Sequence, residues 1–330
     1  MLKAAFNIYG LPLEVTSDHP LLFDMIRQEL RTFRTGKRDP AGHRGQVRLQ
    51  LAALPLELDE AAIPAPYSKY HQEWRLEPPK AARQQVTLYG RSAVVVVEQP
   101  RKRLIQAGVI PQPWVVPDPA WHYCFTHPVS FWLKQRNLFF VHAACLADQG
   151  RGMLIIGPSH AGKTTFSLLG VQSGLHFLSD EQPLLSFERS EIRALAFPRR
   201  IRADRALARR FPELKAVPTA DCPRPPIPLE TIWPRRMASS CSVNILIFPS
   251  YRAEGKATTR RMRPTEVLAE LMQDDYFIWY RNKPFNRISK KHLDLFEKLA
   301  SNIPAFRVTY SHRSLRTIPA LLKKLLDYPK

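Results

Sequence analysis

Cysteine is sparse here. Cys124, Cys145, Cys222 and Cys241 are the whole complement, none forms a C-x-x-C pair, and none joins histidines at zinc-finger spacing. That excludes a zinc module and a dithiol redox motif, and four reduced, mostly buried thiols fit a cytoplasmic protein. Glycine is also scarce, at 13 residues against 30 prolines, which favours rigid loops over flexible ones. Long apolar runs are missing. The longest, such as residues 93–97, are strand-sized and fall far short of the ~18 residues a membrane span needs. Residues 1–10 read as a strand and not as a signal peptide. Acidic residues are few, 29 against 49 lysines and arginines, and the resulting charge of +20 attracts phosphate, acidic peptide, nucleic acid or anionic lipid without choosing among them.

What is present is a globular composition, 45% hydrophobic and 24% charged over 330 residues, with no internal repeat. Apolar spacing predicts strands at 5–9, 13–15, 47–51, 85–89 and 92–98, the last two joined at Gly90-Arg91. It predicts a helix over 21–33 and another over 120–138, interrupted near Pro128. From about residue 138 the pattern alternates. Strands are expected at 139–146, 153–156, 175–178, 192–196, 243–248 and 305–310, with helices at 163–172, 264–280, 288–300 and 317–326. The proline-rich stretch 211–234 reads as an extended loop. Alternation of this kind implies an α/β layered sheet with flanking helices over residues 121–330, and a smaller accessory α+β domain over 1–120.

The chemistry centres on Gly157, Pro158, Ser159, His160, Ala161, Gly162, Lys163 and Thr164, which satisfy G-x-x-x-x-G-K-[ST] in full, with Thr165 following. The glycines allow backbone N–H groups to turn inward around an anion. Lys163 would reach the outer phosphates, Thr164 would offer its hydroxyl to Mg²⁺, and the next helix would aim its positive N-terminus at the phosphates. A random chain of this length would carry the pattern in roughly one case in a hundred, so the apolar strand before it and the helix after it are what identify an ATP-binding loop. Asp180 and Glu181 follow the next strand and should lie at the phosphate edge of an open parallel sheet, one on Mg²⁺ and one accepting the proton of an attacking hydroxyl. His142, on the strand leading to the loop, could be returned to that edge by a hairpin. The arginines 199, 200, 202, 205, 209 and 210 crowd one stretch, and Arg199 or Arg200 could supply the cation a migrating phosphoryl group needs. No nucleic-acid module or aromatic interleaving accompanies this charge, which argues against a nucleic-acid partner.

Together these residues resemble the catalytic domain of the HPr kinase/phosphorylase family, of the phosphoenolpyruvate-carboxykinase-like P-loop fold. The likeness runs from Val141-His142-Ala143-Ala144 through the glycine loop to Gly174 and Asp180-Glu181, without a gap between loop and acidic pair. His160, Leu175 and Glu181 replace a glycine, a histidine and an aspartate of the family pattern, and the family's later E-I-R-G-L-G-type signature has no counterpart. The chain thus resembles divergent, HPr-kinase-related proteins of bacteria more than a true HPr kinase. The resemblance implies ATP-dependent, Mg²⁺-requiring transfer to a hydroxyl of a peptide, protein or small molecule. It implies Asp180 as general base, Glu181 and Thr164 at the metal, and His142 at the active site, and homo-oligomers are among its implications. The alternative class is a nucleotide-gated partner-binding module without phosphotransfer.

Overall fold

The computed structural model describes residues 1–35, 46–53, 73–76, 85–89, 94–99, 103–109, 125–188, 191–197, 201–215, 225–273 and 287–329. Gly90-Arg91, Cys124, Cys222, Arg199 and Arg200 therefore lie outside the described residues. Contacts divide the chain into two compact units, Met1–Leu133 and Lys134–Lys330.

The first unit is built on a mixed sheet. Its elements are β1 (Leu2–Ile8), β2 (Leu11–Ser17), α1 (Pro20–Glu29), β3 (Val47–Ala53), β4 (Glu73–Leu76), β5 (Gln85–Tyr89), β6 (Val94–Gln99) and β7 (Leu104–Val109). The spatial order is β1-β2-β3-β7-β6-β5-β4. Tyr9 and Gly10, both at positive φ (47° and 88°), turn β1 back onto β2, the geometry a two-residue hairpin demands. The helix expected over 21–33 ends at Glu29, and residues 31–33 tighten into a 3-10 turn. The helix expected over 120–138 is, among the described residues, the shorter α2 (His127–Lys134), and Leu138 already belongs to the next strand.

In the second unit, β8 (Leu138–Phe140), β9 (Ala143–Asp148) and β10 (Arg151–Ile156) lead to α3 (Lys163–Gln172) and β11 (His176–Ser179). Next come β12 (Leu184–Glu188), β13 (Glu191–Leu195), β14 (Ile201–Arg202), α4 (Arg205–Arg210), β15 (Pro226–Ile227) and α5 (Leu229–Ile232). The chain then forms β16 (Ser240–Tyr251), β17 (Thr258–Arg261), α6 (Pro264–Leu271), α7 (Arg287–Asn302), β18 (Ala305–Tyr310) and α8 (Ile318–Leu326). The unit is α/β: a nine-stranded sheet with helices packed on both faces.

Several expectations need correction. Residues 139–146 are not one strand: the chain breaks at Val141-His142, and the two pieces join different neighbours, β8 with β12 and β9 with β10 and β11. The stretch 211–234 is not an uninterrupted loop, since it holds a 3-10 turn, β15 and α5. The helix begun by Pro264 ends at Leu271. Nor is the sheet wholly parallel. β10 runs parallel to β16 and β16 to β18, while β9 is antiparallel to both β10 and β11.

The long β16 forks the sheet. Its residues 240–242 pair with β13, and its residues 246–251 pair with β18. Strand alternation divides the core in two. Met153 and Ile155 pack under α3 and α8, whereas Leu154 and Ile156 pack under α6 and α7. Cys145 and Cys241 are buried free thiols with sulfurs 3.8 Å apart, and this contact together with burial pushes the Cys145 thiol up, keeping it protonated. No described helix is long and apolar enough to cross a membrane.

Candidate active site

The loop 157–164 joins the carboxyl end of β10 to α3, whose expected span of 163–172 holds to the residue. Gly162, at φ 101°, begins the helix; a methyl group there would strike the Tyr310 hydroxyl, so both conformation and space require glycine. His160 is also left-handed, at φ 66°. That backbone state loads a histidine with strain on the order of 1–2 kcal/mol. Gly162, as the N-cap, has no side chain to cap the first turn of α3, and the Phe166 N–H donates to Gly162 O at 2.9 Å. Lys163 is buried and folds back, its Nζ donating to the carbonyls of Gly157 (2.8 Å) and Pro158 (3.1 Å).

The acidic pair reaches this edge although the sheet is mixed. With β9 antiparallel to both neighbours, β11 points the same way as β10, and its carboxyl end falls beside the loop. A bulge between Phe177 and Ser179 re-aims the chain just before the carboxylates. The Ser179 hydroxyl then fixes the turn, donating to Phe197 O (3.1 Å) and accepting from Gln182 N (3.2 Å).

Asp180 is 5% exposed. Its Oδ2 accepts from the Thr164 hydroxyl at 2.7 Å, and its Oδ1 is buried with no hydrogen-bond partner among the described residues. Burial pushes the Asp180 carboxyl up to about 6 against the pull of the Thr164 hydroxyl; Glu181 adds to the rise, and Ser167 and Lys163 oppose it.

His142 arrives by the break between β8 and β9. Ala143 pairs with Ile156, so His142 stands across from the start of the loop, and Val141 N donates to Pro183 O (3.4 Å), tying the break to the segment after Glu181.

These groups share a cavity of about 380 Å³, within the range of small-ligand sites. Of the sequence-derived candidates, His142, Ser159, His160, Gly162, Lys163, Thr164, Thr165, Asp180 and Glu181 line it. Gly157 and Pro158 line an adjoining cavity of about 220 Å³ that also touches His142, Ser159, Glu270 and Gln273. Ala161 lines neither cavity; it makes a tight turn onto Pro158 O (3.2 Å). Within the arginine run, it is Arg202 that lines the larger cavity among the described residues. Sequence reasoning placed Arg202 in the crowd without singling it out. Asp204, Tyr251, Tyr310 and His312 also line the cavity and were missed. The one sequence signal for the last three is their place just at or beyond the ends of expected strands.

No protein-family model matches this chain, and neither does any curated protein. Among solved structures it is similar to the Hpr(Ser) kinase/phosphatase from Coxiella burnetii, at 12% identity and a TM-score of 0.28, over 56% of this chain and 91% of that one.

Proposed function

We propose that the chain is an ATP-dependent phosphotransferase of the HPr-kinase-like P-loop type, acting on a hydroxyl of a peptide, protein or small molecule. In this reading residues 1–120 form an accessory domain. The observation that carries the proposal is the meeting of Thr164 with the buried Asp180 at the mouth of the loop 157–164.

The cavity suits Mg²⁺ by the chemistry of its donors. Thr164, Asp180 and Glu181 present only oxygen, and the unanswered Oδ1 of Asp180 leaves lone pairs to be satisfied. Among the described residues no group of three or more His, Cys, Asp or Glu could hold a metal alone, so the nucleotide phosphates would complete the shell. Bound there by Thr164 and Glu181, Mg²⁺ would neutralise charge on the phosphate oxygens.

The protein's own groups then do the rest. The loop N–H groups and the N-terminus of α3 bind the phosphates. Lys163 exchanges its two carbonyl partners for phosphate oxygens. Asp180, anchored through Oδ2, takes the acceptor's proton at Oδ1. Arg202 and His142 flank the transferring group, and rate comes from positioning and charge stabilisation.

The Thr164–Asp180 hydrogen bond supports a second assignment, in which Asp180 serves the metal and Glu181 is the base. Transfer from γ-labelled ATP with Mg²⁺, with and without a lysate of the source organism, tests both. A labelled acceptor lost in Asp180→Asn at unchanged ATP affinity is the expected result. Loss of transfer at unchanged affinity in Glu181→Gln, with weakened Mg-ATP binding in Asp180→Asn, would exchange the two roles. Tight ATP binding with no transfer at all would overturn the kinase in favour of a nucleotide-gated binding module.

A further inference from the structure

Three parallel neighbours, β10, β16 and β18, end at the same edge of the sheet. The first ends in the loop, the second at Tyr251 and the third at Tyr310, and Tyr251 and Tyr310 are register partners. Tyr310 is fixed beneath the loop. Its hydroxyl donates to Ala161 O (3.1 Å), its ring meets Phe166 at 5.0 Å, and it is 6% exposed. Burial, reinforced by Tyr251, pushes its phenol up, which keeps the donor proton in place. Tyr251 stands one ring further out. It meets Tyr310 edge-on at 5.6 Å and His312 edge-on at 5.1 Å, yet remains 49% exposed. Two aromatic neighbours thus hold an aromatic ring half in solvent, inside the cavity that holds the loop.

The strand order says which end of a ligand this ring meets. In the sequence β11-β9-β10-β16 with β18 beyond, the loop strand sits in the middle. Asp180, Glu181 and His142 belong to the β11 and β9 side, and Tyr251, Tyr310 and His312 to the β16 and β18 side. A nucleotide with its phosphates in the loop and its reactive end at the carboxylates carries its base toward the aromatic side.

Resting on the nucleotide reading above, we propose that Tyr251, braced by Tyr310 and His312, is the stacking surface for the nucleobase. Stacking uses the π face that every base has, so this surface accepts adenine and guanine alike.

Titration calorimetry of the whole chain with Mg-ATP, Mg-GTP and Mg-tripolyphosphate tests this. Tyr251→Ala is expected to weaken ATP and GTP about tenfold and leave tripolyphosphate unchanged, while Tyr251→Phe binds all three like the unaltered chain. Equal ATP affinity in Tyr251→Ala, or a parallel loss for tripolyphosphate, would overturn the base platform alone. An unaltered chain that binds neither ATP nor tripolyphosphate would overturn the platform and the nucleotide reading together.

Discussion

On the two covered faces of the C-terminal sheet, β10 behaves as a buried strand should. Met153 and Ile155 enter the core beneath α3 and α8, and Leu154 and Ile156 enter the core beneath α6 and α7. At its carboxyl end the same strand runs into a different regime. There a histidine sits at φ 66°, a buried lysine is wrapped on carbonyls of its own loop, and a carboxylate is buried with one oxygen unanswered. The faces supply stability, about 1.5–3 kcal/mol for each large side chain fully buried. The edge consumes some of it in strain and desolvation. Local rules broken together at one place mark a site organised for something other than folding.

That contrast is sharpest at Asp180. In the phosphotransferase reading proposed above, Asp180→Asn is expected to slow phosphate transfer by about 10²–10⁴-fold, the contribution of a positioned base. It should leave the melting temperature unchanged or raise it, because the fold disfavours the charged form of this carboxyl, holding it at about 6. A variant that melts well below the unaltered chain would show that the carboxylate is a structural strut and remove the edge from the comparison.

The opposite behaviour is expected on the faces. Leu299, in α7, is fully buried in the core beneath α6 and α7. Leu299→Ala should cost about 2–5 kcal/mol in denaturant unfolding and leave turnover per folded molecule as it was. Altered turnover would mean that the face and the edge are coupled.

This division also governs what the sequence discloses. The loop and α3 are legible because a motif, an apolar strand and a helix of matching period all agree. Asp180 is legible from its place after the next strand, even though the sheet is mixed and not parallel: the intervening β9 restores the direction. β17, Thr-Thr-Arg-Arg, has no apolar residue to mark a face, and β12, Leu-Leu-Ser-Phe-Glu, does not alternate, so both escape notice; the break at Val141-His142 hides in a run that is apolar apart from His142 itself. Tyr251 and His312 could not have been singled out. Their meeting depends on the register of β16 against β18, strands far apart in the chain, and no local pattern encodes a register.

His292 gives a smaller test, on the α7 face. It is 1% exposed, between Phe139 (5.1 Å) and Phe296 (4.6 Å), and burial, together with the nearby Lys134 charge, holds its imidazole well below the usual histidine range. The unfolded chain takes up a proton near pH 6.5 that the folded chain refuses. His292 therefore destabilises the fold as pH falls below about 6.5, by up to about 1.4 kcal/mol per pH unit, and has no such effect above it. Denaturant unfolding between pH 5 and 8 should show His292→Phe losing less stability than the unaltered chain on the acid side. Identical slopes would mean that this imidazole is protonated in the fold after all.

The smallest effect is expected back at the edge, at His160. Glycine adopts φ 66° without the clash a Cβ brings, but it loses more backbone freedom on folding, so relief of about 1–2 kcal/mol is offset by about 0.5–1. His160→Gly should thus raise stability by about 0.5–1 kcal/mol, a rise of about 1–4 °C in melting temperature for a unit of this size. A loss of stability would mean that the His160 side chain has contacts worth more than the strain. If the variant gains stability and loses nucleotide affinity, the strain belongs to the ligand, since His160 lines the cavity. If it gains stability and binds ATP as before, the histidine is a tolerated replacement on a loop that needs only its backbone, and the cost at this edge narrows to Lys163 and Asp180.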